Sequence, residues 1–295
     1  MDRVCSKMSV AWGVSPVGND SAAPLPRVAS SALSRIVIAV DGPSGSGKSS
    51  TSRGVAQQLG LRYLDTGAMY RAMTRWMLIH GIDVSDAETV AAHVETPQLD
   101  VGTDPSAPVI VLDGEDVSAA VRGRAVTEAV SAVSAVPAVR ARMVALQRAI
   151  IGTGGVVVEG RDIGTTVAPD AAVKVYLVAS ADARAVRRHA ELEAPAERPR
   201  GAGESATRRH HGAGSGAQVE RGEGAAATHI ETGGELAAAS VEETRAALRR
   251  RDSLDSTRAA SPLACADDAV VLDSTDHSLE EVIDLILELV ATAVR

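Results

Sequence analysis

Phenylalanine is absent from this chain of 295 residues, and aromatic residues together make up only 2% of it. A core must then be built from alanine, valine, leucine and isoleucine, and rings for stacking the bases of single-stranded nucleic acid are not expected. Cysteine is nearly as scarce. Cys5 and Cys265 stand near opposite ends, which makes no disulfide framework and suits a reducing cytosol, so a cytoplasmic location is expected. No apolar run approaches the length of a membrane span. Residues 1–34 carry Arg3 and Lys7 but lack the apolar stretch of a secretory signal, and they read as a disordered extension. The formal net charge of −8 argues against a general binder of nucleic acid or anionic membranes and leaves small molecules as the expected partners. Lysine occurs only at Lys7, Lys48 and Lys174, all other cationic side chains of fixed charge being arginine.

That scarcity gives Lys48 its weight. In residues 35–50, RIVIAVDGPSGSGKSS, an aliphatic strand runs into Gly42, four further residues, then Gly47, Lys48 and Ser49. This is the spacing of a P-loop, whose glycines let consecutive backbone N–H groups turn inward around phosphate oxygens. Gly42, Pro43, Ser44, Gly45, Ser46, Gly47, Lys48, Ser49 and Ser50 are therefore the expected ATP-binding residues. A helix expected over residues 48–59, stopped by Gly60, aims its positive end at the same phosphates. Lys48 is expected to bridge the β- and γ-phosphates, and the Ser49 hydroxyl to hold Mg²⁺. Asp41 and Glu159, carboxylates at strand ends near the loop, are further candidates for that ion.

From Arg35 onward strand and helix signals alternate, which predicts an α/β fold with a parallel sheet flanked by helices. Strands are expected at residues 36–40, 62–64, 156–159, 173–179 and 269–272. Residues 109–112 and 115–117, joined by Asp113-Gly114, read as a hairpin in a lobe of its own. A helix is expected from Pro137 to residue 150, ended by Gly152. The stretch 193–239 is rich in glycine, alanine and charge, with too little apolar content to order itself, and its His210-His211 pair reads as part of a solvated linker. Leu279, Val282, Ile283, Ile286 and Val290 recur at helical spacing and predict a face docked on the core.

Arginine recurs in LDTGAMYRA (Thr66, Arg71), SAVSAVPAVRARM (Ser131, Arg140), VVVEGRDIGTTVAPDA (Glu159, Arg161, Asp162) and RRRDSLDSTRAASPL (Arg251, Asp255, Arg258). In this order, after GPSGSGKSS, these segments resemble bacterial cytidylate kinases over residues 35–193 and 241–290. The resemblance implies a nucleoside monophosphate kinase of the P-loop NTPase class, acting as a monomer, that moves the γ-phosphoryl group of ATP to CMP or dCMP with Mg²⁺. It implies an acceptor-binding lobe near residues 81–150 and a lid near residues 184–245, within which residues 194–239 form an insert. Arg71 and Arg161 would hold the acceptor phosphate; Ser131, Arg140 and Asp162 would read the cytosine edge. Arg251 and Asp255 would meet the pentose, with Thr66 and Arg258 lining the same pocket. Arg184, Arg187 and Arg188 would enter the lid, and Lys48, Arg161, Arg187 and Arg188 would carry the chemistry by neutralising charge in flight. The family usually has a bulky aromatic before Pro-Asp-Ala, where Ala168 stands here, so looser packing is expected there.

The insert is expected to project from the lid without entering the site. Two other functions fit parts of the pattern. One is a kinase for a different small acceptor such as UMP, and the other a nucleotide-binding regulatory protein whose lid no longer transfers phosphate. A GTPase fits poorly, since no Asn-Lys-x-Asp segment occurs.

Overall fold

Ile36, Ile38 and Val40 face one side of the main sheet and Ala39 the other, and all are buried, as a strand covered on both faces requires. They frame β1 (Val37–Asp41). The computed structural model describes residues 30–193, 240–258 and 260–295. The short α1 (Ser30–Leu33) precedes β1, and after β1 come the helix α2 (Lys48–Leu59) and the strand β2 (Arg62–Asp65). A detour follows: α3 (Thr66–Ile79), α4 (Ala87–Ala92), strands β3 (Leu99–Val101), β4 (Ile110–Leu112) and β5 (Glu115–Asp116), then α5 (Arg124–Ala135) and α6 (Pro137–Ile151). The chain returns through β6 (Val156–Glu159) and β7 (Val173–Val178), passes through α7 (Ala181–Glu193) and α8 (Val241–Thr257), and closes with β8 (Val270–Asp273) and α9 (Leu279–Ala293).

The main sheet is parallel throughout, in the order β2-β6-β1-β7-β8. Its strand order reverses around β1, so the carboxyl ends of β1 and β6 flank the crevice where open α/β sheets bind ligands. One face is covered by α2 and α9 through Val55, Ala56, Val282, Ile283, Ile286 and Val290. Leu279, expected on that docked face, is 41% exposed at the first turn of α9, where the helix has not yet reached the sheet. The other face is covered by α3, α5 and α6. Its apolar cluster runs without a break from Ala39 and Val158 through Met73 to Ile110, Leu112 and Val130, so the detour shares the main core and has none of its own.

Local signals account for the boundaries. Gly60, in the left-handed region, ends α2 by donating to Gln57 and Ala56 carbonyls. Asp113 and Gly114 both take positive φ, as a tight two-residue hairpin turn demands. Pro137 opens α6 and leaves Val136 extended, which bends the chain 96° between α5 and α6. Ser240 and Ser278 each cap a helix reciprocally with a glutamate three residues on. The expected extension ends earlier than residue 34: Leu33 packs on the core and Gly155 sits against the Ser34 backbone. The remainder of that extension, and the expected insert with His210-His211, lie outside the described residues. Among the described residues no single helix is long and apolar enough to cross a membrane.

Candidate active site

Gly42 opens the loop after β1 with φ +144°, and a Cβ there would lie 2.1 Å from the Leu177 carbonyl oxygen. Only glycine lets the loop leave the sheet this close to β7. The loop's outward groups are then satisfied one after another. Gly42 O accepts from an Arg161 Nη1, Pro43 O from Lys48 Nζ at 2.7 Å and Ser46 Oγ at 3.1 Å, Ser44 O from an Arg184 Nη1 at 3.1 Å, and Ser46 O from Ser274 Oγ at 3.1 Å. The backbone N–H groups of Gly45, Ser46 and Gly47, by contrast, donate to no acceptor among the described residues. Gly47 caps α2 without a side-chain partner. Unpaired N–H groups at a positive helix end make a cradle for phosphate.

Beside the loop lies a concentration of arginine. Arg161 follows β6 and donates through Nε to Asp255 Oδ2 at 3.0 Å as well as to Gly42 O. Asp255 on α8 also meets Ser131 Oγ at 3.5 Å and an Arg258 Nη1 at 3.9 Å. Arg140, 4% exposed, is paired with Asp162 and stands over the Tyr70 ring at 5.5 Å; Arg258 Nη2 lies 3.9 Å from the other Asp162 oxygen. Arg71 pairs with Asp65 at 3.2 Å. Burial and then the neighbouring Arg161 push the Arg251 guanidinium down to about 9. Burial, then Arg140, lowers Arg258 as well. Arg71 Nε, Arg140 Nε, Arg251 Nε and Arg258 Nη2 are buried donors with no acceptor. Buried donors without acceptors, gathered on neighbouring guanidinium groups, favour a bound anion.

Glu159 ends β6 at 4% exposure. Its Oε1 accepts from Ser49 Oγ and Tyr63 OH, both at 2.8 Å, whereas its buried Oε2 has no partner. Burial pushes Glu159 up and Lys48 down, each toward its neutral form. An orphan carboxylate oxygen beside an exposed serine hydroxyl fits a divalent cation. Among the described residues no three His, Cys, Asp or Glu side chains gather as a metal cluster, so such an ion would take its other ligands from phosphate and water. Asp41 fits less well: its two oxygens accept from the N–H groups of Ile163 and Gly164 at 2.9 and 2.8 Å, fixing the π-helical turn at residues Ile163–Val167.

Most residues singled out in the sequence converge here, with three differences. Thr66 is buried and donates to Glu159 O at 2.7 Å, joining the ends of β2 and β6. Arg187 turns to the β8–α9 turn, binding Ser274 Oγ at 2.9 Å and Ser274 O at 2.5 Å, so it supports the loop through Ser274. Arg188 pairs with Glu191 at 2.9 Å on its own helix, though its charge still reaches Arg251. Sequence reasoning missed Asp252, Ser274 and Tyr63. Of these only Asp252, within the RRRDSLD segment, sits where a sequence signal could have pointed.

A family model described as cytidylate kinase matches residues 38–201 and 227–292. The chain belongs to the cytidylate kinase family. Curated relatives named cytidylate kinase include one from Streptomyces avermitilis, 47% identical over 257 residues, which cover 86% of this chain and 92% of the relative. Another, from Rhodococcus opacus, is 45% identical over 259 residues, covering 88% and 96%. A third, from Mycolicibacterium paratuberculosis, is 45% identical over 258 residues, covering 87% and 96%. As a member of the cytidylate kinase family the chain is a nucleotide-binding phosphotransferase. The gap in the family match, residues 202–226, falls within the glycine-rich stretch singled out as an insert.

Proposed function

We propose that this chain transfers the γ-phosphoryl group of ATP to CMP or dCMP, giving ADP and the corresponding diphosphate. The observation that carries this reading is the double engagement of Arg161, whose guanidinium touches Gly42 O of the P-loop and Asp255 of the acceptor cluster at once. Donor and acceptor phosphates meet on one cation. The unpaired N–H groups of Gly45, Ser46 and Gly47, with Lys48, hold the ATP phosphates. Arg71, Arg161 and Arg251 take the acceptor phosphate, for which a guanidinium offers paired donors. Arg251 and Asp255 also take the pentose, and Arg188 adds charge against the group in flight.

Base choice falls to Ser131, Arg140 and Asp162. Cytosine presents an amino donor beside ring and carbonyl acceptors, and the Arg140–Asp162 pair presents an acceptor carboxylate beside a donor guanidinium. Uracil would set a carbonyl against the carboxylate, leaving a buried charge facing a like dipole. No general base is required, since an acceptor phosphate oxygen is already nucleophilic once its charge is screened. Mg²⁺ arriving with ATP would be held by Ser49 and Glu159 and would supply further neutralisation of phosphate charge. Helices α7 and α8 exclude water from the transfer. Incubation with Mg-ATP and CMP should yield CDP and ADP in equal amounts; ATP hydrolysis with no CDP would overturn the reading.

A further inference from the structure

Asp252 is the one carboxylate of α8 that faces the P-loop, and it does so next door to Arg251 and three residues before Asp255. Its Oδ1 accepts the backbone N–H of Ser44 at 3.3 Å, and its Oδ2 is paired with Arg184, which in turn donates to Ser44 O at 3.1 Å. Both backbone polar groups of Ser44 are therefore held by one ion pair, with side chains only 18% and 11% exposed. Because Pro43 has no N–H, Ser44 N–H is the first donor of the loop after Gly42, and it is turned away from the cradle formed by Gly45, Ser46 and Gly47. The clamp sets how those next groups point. It also ties the loop to α8, whose Arg251 and Asp255, with Arg258 just past the helix end, belong to the acceptor cluster.

We propose that Asp252 is a positioning residue that couples the two nucleotide sites: an acceptor nucleotide held by α8 fixes Asp252, and Asp252 fixes the loop that holds the donor phosphates. Arg161 makes a parallel tie through Gly42 O and Asp255, but it meets the acceptor phosphate directly, whereas Asp252 touches neither nucleotide and acts only through Ser44. The coupling is reciprocal by thermodynamic necessity, so the donor must tighten the acceptor by the same factor. The inference rests on the proposed CMP and ATP sites.

The test is equilibrium titration of the full chain with a non-hydrolysable ATP analogue, with and without saturating CMP, and with CMP alone. In the wild type, CMP should tighten the analogue by a factor within the range of about 5 to 150 usual for allosteric coupling. In Asp252→Ala that factor should fall at least about threefold, to the part that the parallel tie through Arg161 carries, while CMP alone binds within about threefold of wild type, since the acceptor cluster itself is intact. Asp252→Asn retains an acceptor for Ser44 N–H but weakens the Arg184 pair, and should give an intermediate factor. It serves as the folded comparison should the alanine variant lose its cooperative melting transition. Equal coupling in wild type and both variants would overturn the role of Asp252 and leave the kinase reading standing. A wild type that binds the ATP analogue and not CMP would overturn both.

Discussion

Asp41 is the residue whose ionisation the fold perturbs most simply. Burial pushes its carboxyl from 3.8 up to about 6, against the pull of the Gly164 and Ile163 N–H groups. A carboxyl with a raised folded-state value holds its proton more tightly in the native than in the unfolded chain. Its contribution is complete below pH 3.8 and is lost as the pH rises through about 6. The stability of the wild type relative to Asp41→Asn should therefore decline between those limits and level off above them, as measured by urea unfolding across that range. A difference that grows with pH would contradict the burial assignment. At this scale the sequence was informative wherever a residue carries its own chemistry in a local motif: the scarce Lys48, the adjacent Arg161 and Asp162, and Arg71 all reach the site. It was silent on Tyr63, Ser274 and the grip of Asp252 on Ser44. Each of these works through a partner 96, 228 or 208 residues away, a distance that no local pattern encodes.

Among the elements, the turn from β1 into α2 is held tightly by sterics. Gly42→Ala would drive a methyl into the Leu177 carbonyl at 2.1 Å, and backbone cannot yield as a side-chain tip can. The substitution should abolish cooperative folding or lower stability by more than about 3 kcal/mol. Gly60→Ala, also left-handed but with nothing within 4 Å, should lose only about 1 kcal/mol. Comparable losses at the two positions, read from thermal or urea unfolding, would contradict the close approach of loop and sheet. The buried strands were legible to within a residue or two because aliphatic runs bounded by glycine and charge have few other solutions. The helices α3 and α5 were not read as helices. Asp65 caps α3 with its side chain, a signal hidden inside the LDTGAMYRA motif, and α5 sets Val126, Val130 and Val133 on its buried face, residues whose intrinsic preference leans toward strand. The short edge strand β3 has only a three-residue pattern to offer.

Over the whole molecule, an acidic chain with net charge −8 brings Arg140, Arg161, Arg251 and Arg258 together between the P-loop, the end of β6 and α8. Charge is thus partitioned: repulsive overall toward polyanions, attractive locally toward a small one. The fold class was legible because aliphatic strand signals alternate with helix signals from Arg35 onward, whereas the absence of a separate core for the detour was not, since a shared core depends on long-range packing. The family match omits residues 202–226. Deleting them should leave CMP-dependent turnover within about tenfold of the full chain; a larger loss in a protein that still melts cooperatively would assign that stretch a part in the reaction. The most direct test of the account is ADP release from Mg-ATP with CMP, dCMP, UMP, AMP and GMP offered separately to the wild type and to Arg161→Ala. CMP and dCMP should stimulate release strongly and the others weakly, and the substitution should reduce the CMP-dependent rate by at least about a hundredfold, the loss typical of removing one transition-state donor. Equal stimulation by all five acceptors, or a substitution without effect, would contradict the placing of donor and acceptor phosphates on that one guanidinium.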